Sequence, residues 1–359
     1  MTLDGEVLVH LRFDGKRVTR ADVRSARPAA TRWLAGRSPA AVLAAVPAAF
    51  SVCGVAQGAA ASRALSCAGY ANGGIDDVAV MYEIVQEHFF RLLIDAPRAV
   101  GREADVASVA TARRRAAERS AATIAEIAAG TVFAAPARDW LALEGVDALQ
   151  AWAAGGATLP ALVLGDMLRE MRGLGRSDVP LLPAAAPEAI ARCVVPALVR
   201  DPAFAQQPTW RGAAAETGPL ARMRMHPLVA AVLARDGNTV AARFVARLAE
   251  LATLLLALRD DAGGSGRWVA GCALSDGSGL GAVQTARGLL LHRARIEGGR
   301  VIDYQIVAPT EWNFHPAGAL ARGLADTEAE DVASLERKAR LAVRVLDPCV
   351  ASRIEVSHA

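Results

Sequence analysis

The chain has 359 residues, enough for about two domains or one large one, and enough to bury a core without disulfide or metal staples. Hydrophobic residues make up 53% and the mean hydropathy is +0.25, which excludes a disordered chain. Alanine dominates while aromatics reach only 5%, favouring close-packed helices over a β-sandwich, and a net charge of +3 is too small for a nucleic-acid footprint.

The first residues are acidic and lack the apolar run of a signal peptide. Residues 6–13 alternate, with Val7, Val9, Leu11 and Phe13 on one face. Asp14-Gly15 marks a turn, and 17–23 returns as a second strand, so 1–28 reads as an N-terminal β-hairpin. Residues 29–266 read as a helical body. The stretch 36–62 is nearly free of charge, but Pro47, Gly54, Gln57 and Gly58 interrupt it, as in a buried segment rather than a membrane span. Helices are expected over 40–49, 75–95, 103–130, 137–155 and 160–172. The basic run Arg113-Arg114-Arg115 fits a solvated helix face. The proline-rich stretch 177–208 reads as irregular. A helix pair follows over 227–235 and 239–259, broken at Asp236-Gly237-Asn238, and 260–266 has the composition of a flexible loop. In the β-containing segment 267–315, Gly288–Glu297 and Arg300–Val307 form a hairpin closed at Gly298-Gly299. A last helix over 330–345, within 316–359, leads into the C-terminal segment. The expected fold is a mainly α single domain, 1–359, with two small β elements.

Most chemical signals are weak when taken singly. Gly277, Gly279 and Gly281 suggest a glycine-rich loop, but without GxGxxG spacing or a βαβ setting they make no nucleotide site. The six histidines are scattered without metal spacing. Five cysteines, odd in number and dispersed, argue against a disulfide framework and for a reducing cytoplasm. Cys67, Cys193 and Cys272 read as small buried hydrophobes. Cys53 and Cys349 differ in context: one lies in Ser51-Val52-Cys53-Gly54-Val55-Ala56, the other in Asp347-Pro348-Cys349-Val350-Ala351-Ser352. Spacing alone cannot bring them together.

These two segments resemble the cysteine motifs of the nickel–iron hydrogenase large subunit, R-x-C-G-x-C-x-x-x-H and D-P-C-x-x-C-x-x-H. Cys53 and Cys349 match the first cysteine of each motif. Ala56 and Ser352 stand where the second cysteines would be, Ser51 at the arginine position, and Ala60 and Glu355 at the histidine positions. Further segments follow in the family's order. Glu216-Thr217-Gly218-Pro219-Leu220-Ala221-Arg222 is similar to E-V-G-P-L-A-R, Thr285-Ala286-Arg287-Gly288 to A-P-R-G, and Pro309-Thr310-Glu311-Trp312-Asn313 to P-T-T-W-N. Asp4-Gly5 falls at an E-G position, and Glu87-His88 near an Asp-His pair. The pattern resembles even more the HupK/HoxV type of hydrogenase expression/formation proteins, degenerate paralogues of that subunit.

The resemblance implies a large-subunit-like helical fold over most of the chain, and a role in hydrogenase maturation rather than catalysis. A nickel site with four thiolates is not expected, because two thiolate positions are lost. The implied cargo is iron as the Fe(CN)2(CO) fragment, held transiently before transfer, with Cys53 and Cys349 as metal ligands. Arg287 and Thr310 are implied as hydrogen-bond donors to the cyanides, and Asp347 belongs to the same cofactor-binding set. In the enzyme the iron rides on the two bridging cysteines that are missing here, so the fragment would sit toward the terminal positions or a partner would supply a thiolate. Implied partners are a small β-barrel maturation chaperone of the HypC/HupF type and the hydrogenase large-subunit precursor. The ten residues after Cys349 lack the motif histidine, which fits a chain without the family's cleaved tail. The competing expectation is a cofactor-free mimic of the large subunit that recruits maturation chaperones.

Overall fold

Strict alternation builds the first sheet. Val7, Val9 and Leu11 of β1 (Glu6–Phe13) are fully buried, while the residues between them face outward. Asp14 Oδ1 accepts from the amides of Lys16 and Arg17 at 2.8 Å each and turns the chain into β2 (Val18–Ala26), which pairs antiparallel with β1. The computed structural model describes residues 5–26, 31–74, 76–260 and 266–359. The boundary expected near residue 28 and most of the loop expected over 260–266 lie outside the described residues.

Helices predominate over strands. The helix Val240–Arg259 runs through the main core and is buried along most of its length. Thr239 Oγ1 caps it by accepting from the amide of Ala242. The segment expected over 75–95 is the helix Asp77–Phe90, capped by Asp76 and continued by a wider turn over Arg91–Asp95. The segment expected over 103–130 breaks into Val106–Ala117 and Ala121–Ala128, and that over 137–155 into Ala137–Leu141 and Gly145–Gly155. Among the described residues, no single helix is long and apolar enough to cross a membrane.

Three expectations need correction. First, 177–208 is not irregular throughout: Pro187–Arg200 is a helix. Pro187 stands in its first turn, where a missing N–H costs nothing, and only Pro196 lies inside it. Second, the glycine-rich loop is loop only at Gly277, whereas Gly279 and Gly281 lie in a strand. β3 (Val269–Ala273) and β4 (Ser278–Thr285) precede the expected hairpin β5 (Gly288–Glu297) and β6 (Arg300–Val307), giving a four-stranded antiparallel meander. Third, the two small β elements expected do not include a strand after the last helix, Val332–Leu346, yet the structure has one. It is β7 (Ala351–His358), which joins the first sheet in parallel with β1, Glu6 opposite Ala351 and Phe13 opposite His358.

The two central strands of the meander, β4 and β5, are buried on both faces along most of their length. Leu280, Ala282, Leu289 and Leu291 pack against Pro187–Arg200. Gly279 and Gly281 face the helix Gly54–Cys67 so closely that added Cβ atoms would lie 2.1 Å from Ala64 O and 2.3 Å from Ala60 O. The absence of side chains at these two positions is what lets an alanine-rich helix lie directly on the sheet. That contact fixes where the N-terminus of the helix, and hence Cys53, must be.

Candidate functional site

Separate elements deliver the expected residues. Cys53 occupies the N-cap position of Gly54–Cys67 and is buried. Cys349 lies between the end of Val332–Leu346 and the start of β7. Thr310 sits in the first turn of the short helix Pro309–Asn313. Asp347 ends Val332–Leu346 in the left-handed conformation, φ +62°.

Arg287 occupies the two-residue turn between β4 and β5, and its backbone is held from several sides. Its amide donates to Thr285 Oγ1 at 3.1 Å, and its carbonyl accepts from Asn313 Nδ2 at 3.1 Å. Asn313 Oδ1 in turn accepts from the amide of Thr217 at 2.9 Å. Gly288, at φ +126°, passes so close to Thr217 that a Cβ would meet its Cγ2 at 2.3 Å. The three segments that resemble family motifs are thus knitted together through backbone groups.

The fold brings Cys53, Cys349, Arg287, Thr310 and Asp347 to one place. Thr310 Oγ1 is 3.1 Å from Cys349 Sγ. Burial, with the Cys349 sulfur adding to it and the Arg287 guanidinium opposing it, pushes the Cys53 thiol up to about 12. Cys53 is therefore a neutral thiol at pH 7 until something replaces its proton. Arg287 Nη2 donates to Glu87 Oε2 at 2.6 Å. Its Nε lies 3.0 Å from Asp347 Oδ1 as an ion pair without hydrogen-bond geometry. Burial works against the Arg287 charge, but the carboxylates of Asp347 and Glu87 hold its guanidinium firmly protonated.

Asp347 anchors three guanidinium groups: Arg91 at 2.7 Å, Arg247 at 3.0 Å and Arg287 at 3.0 Å. Burial opposes its charge, yet the three arginines hold its carboxyl well below the usual range. The network continues inward. Arg247 Nη1 lies 3.1 Å from His88 Nδ1, His88 Nε2 is 2.9 Å from Glu250 Oε2, and Arg222 closes on both Glu250 oxygens. Burial depresses His88 to about 4, so its ring is neutral. Burial would raise Glu250, but Arg222 and His88 hold it at about 2. Of the Glu87-His88 pair, Glu87 reaches Arg287 while His88 turns into this deeper network.

Other expected positions lie as follows. Ala56 and Ala60 are fully buried in Gly54–Cys67, and Ser352 and Glu355 sit on β7 opposite Val7 and His10. Asp4 lies outside the described residues. Several residues that shape the site went unmarked in the sequence: Gln57, Glu83, Arg91, Arg247, Glu250 and His292. Arg243, Arg247 and Glu250 did leave a signal, since they are charges at i, i+4 and i+7 of a mostly apolar helix. Glu83 reaches across from Asp77–Phe90 and accepts from the amides of Val55 and Ala56 at 2.8 and 3.1 Å, capping the helix that starts at Gly54. Burial lifts its carboxyl to about 7 against those two hydrogen bonds. A cavity of about 580 Å³, lined by Val52, Val55, Glu83, Glu87 and Arg113, opens beside this end of the site.

Chemically, the site offers two soft sulfur donors, a fixed cation and a hydroxyl. Among the described residues, no three His, Cys, Asp or Glu side chains form a metal-holding group. The donors suit a metal that brings most of its own ligands, not one that needs four thiolates.

Comparison with known proteins gives consistent results. The family model for nickel-dependent hydrogenase matches residues 228–354. The hydrogenase expression/formation protein HoxV of Cupriavidus necator is 31% identical, with 92% of this chain and 91% of that protein covered. The hydrogenase expression/formation protein HupK of Azotobacter vinelandii is 32% identical over 99% of each chain. Among solved structures, the nickel–iron–selenium hydrogenase of D. vulgaris Hildenborough in its reduced state aligns with a TM-score of 0.59 over 94% of both chains, at 16% identity. An NAD+-reducing nickel–iron hydrogenase aligns with a TM-score of 0.56 over 94% of both, at 17% identity. At those identities the likeness is one of fold.

Proposed function

The chain belongs to the HoxV/HupK family of hydrogenase expression/formation proteins, relatives of the nickel–iron hydrogenase large subunit, and from that membership we propose that it is a non-catalytic scaffold holding the Fe(CN)2(CO) fragment before transfer to the catalytic large subunit. One observation carries this reading. Cys53 and Cys349, 296 positions apart in the sequence, come within electrostatic reach of each other and of Arg287, with Thr310 against Cys349, while the other two thiolate positions are Ala56 and Ser352.

In this reading Cys53 and Cys349 ligate the iron, and each gives up its proton on binding. Arg287 and Thr310 face its cyanides, where a guanidinium and a hydroxyl supply charge-assisted and neutral hydrogen bonds. Asp347 is a positioning residue that aims Arg287. Two thiolates suit a donor, because four would hold the cargo too tightly to release. Nickel has no matching ligand set, so hydrogen turnover is not expected. The partners in this scheme are a small β-barrel chaperone of the HypC/HupF type that delivers the fragment and the large-subunit precursor that receives it. The cavity beside Val52 and Glu87 is the route by which either could reach Cys53.

A second reading has its own support. Arg287 is already engaged by Glu87 and Asp347, as it would be in a cofactor-free mimic of the large subunit that recruits maturation chaperones. Infrared spectroscopy and metal analysis on protein purified anaerobically from a host with an active maturation pathway separate the two. One carbonyl and two cyanide bands, with iron and without nickel, are expected, and Cys53→Ala and Cys349→Ala should each abolish them. Protein with neither bands nor iron would overturn the scaffold and leave the mimic.

A further inference from the structure

A buried line of hydrogen bonds ends on the Cys53 sulfur. Gln57 lies one helical turn beyond Cys53, and its amide nitrogen donates to Cys53 Sγ at 3.7 Å. The amide oxygen is 2.9 Å from His292 Nε2, and His292 Nδ1 is 2.6 Å from the Tyr304 hydroxyl. His292 is on β5 and Tyr304 on β6, so the meander that supports the cysteine helix also supplies this line. Gln57, His292 and Tyr304 are 2%, 0% and 4% exposed, so their hydrogen bonds to one another are shielded from bulk solvent.

Two polarities are conceivable for such a line. In one, the Tyr304 hydroxyl donates to Nδ1, the Nε2–H donates to the Gln57 oxygen, and the Gln57 N–H faces the sulfur. In the other every bond reverses, and the Cys53 S–H donates to the Gln57 oxygen. Among the described residues, the reversed line offers the Tyr304 hydrogen no acceptor, because His292 is the one hydrogen-bond partner they give that hydroxyl. Burying a hydroxyl hydrogen unpaired is costly. Burial also keeps His292 neutral, so its ring has one N–H to give.

We propose that Tyr304, His292 and Gln57 form a positioning relay that presents an amide N–H, and not a carbonyl, to the Cys53 sulfur. Tyr304 sets the direction, His292 passes it on, and Gln57 delivers it. The consequence is that the Cys53 proton has no carbonyl at Gln57 to rest on, while a sulfur lone pair is met by a donor. A thiolate ligand supported in this way donates less charge to a metal than an unsupported one. That consequence rests on the scaffold reading; the polarity of the relay does not.

The polarity is measured on the unloaded chain. Nitrogen-15 NMR of histidine-labelled protein should show His292 as the Nε2–H tautomer, and Tyr304→Phe should admit the second tautomer. The Cys53 S–H stretch, assigned by infrared difference against Cys53→Ser, should not rise in Gln57→Leu, because Gln57 does not accept that hydrogen. An Nδ1–H tautomer in the wild-type chain, or an S–H band that rises on Gln57→Leu, would overturn the relay. A fully retained Nε2–H tautomer in Tyr304→Phe would remove Tyr304 as the residue that sets it. In loaded protein, Gln57→Leu should move the carbonyl band to lower wavenumber. Loaded protein without bands would end the scaffold reading and leave the relay standing on its own measurements.

Discussion

Asp347 is the residue on which the charge balance of the site turns. Three guanidinium groups converge on one buried carboxylate, and each was desolvated to get there. Removing the negative charge leaves cations buried without compensation, which costs about 3–5 kcal/mol. Asp347→Asn keeps the shape and loses the charge. It should lower stability by that order in urea unfolding, and a loss below about 1 kcal/mol would mean that the arginines do not depend on it. His88 gives the network a pH signature. Its folded value of about 4 lies below the ordinary 6.5, so between those limits the unfolded chain binds a proton that the folded chain refuses. Stability should therefore fall as pH drops from about 6.5 towards 4, and His88→Gln should flatten that part of a melting-temperature profile. Glu250, held at about 2 against an ordinary 4.5, adds its own loss as pH falls from about 4.5 towards 2. At this scale the sequence was informative where a motif marked a residue. Cys53, Cys349, Arg287, Thr310 and Asp347 all converge, but Gln57 and His292 carry no motif. A lone histidine in a strand reads the same whether it is idle or aligned, because its partners come from elements far away in the chain.

At the scale of elements, the approach of Gly54–Cys67 to β4 governs the site. It requires two positions without side chains, and composition turns that requirement into a misleading signal. Gly277, Gly279 and Gly281 look like a loop, whereas Gly279 and Gly281 are central strand positions stripped to admit a helix. The hairpin of β5 and β6 was legible because its apolar run is bounded by Gly298-Gly299, and β1 because it alternates. The helix Pro187–Arg200 was hidden by prolines whose meaning depends on where the first turn falls. Gly281→Ala tests the contact directly. The new methyl would meet the backbone oxygen of Ala60, which cannot rotate away, so the helix must lift. A loss of about 1–3 kcal/mol is expected, together with faster alkylation of Cys53 by iodoacetamide, read by mass spectrometry. Gly155→Ala, which meets nothing within 4 Å, is the control and should neither lower stability nor speed the alkylation of Cys53. Unchanged stability in Gly281→Ala would mean that the helix rests on the sheet less tightly than its geometry requires.

Across the whole molecule, the first and last strands close the structure on itself. β7 pairs in parallel with β1 along its full length, and Cys349 lies two residues before that pairing begins. Parallel pairing of such distant segments is slow to form, because the intervening chain must be ordered first. It is also invisible to local pattern, since Arg353 and Glu355 alternate with half-buried Ile354 and Val356 and read as an ordinary polar tail. The arrangement ties the position of one cysteine to a strand that carries no site residue of its own. Deleting residues 351–359 should therefore act at a distance. β1 would lose one of its two neighbours, and the turn holding Cys349 would lose its downstream anchor, while Cys53, fixed by the meander, would keep its surroundings. Amide exchange along Glu6–Phe13 should accelerate and Cys349 should alkylate several-fold faster, with Cys53 unchanged. Equal acceleration at both cysteines would show instead that the two halves of the site open together, and that the terminal sheet holds the entire molecule rather than one edge of its site.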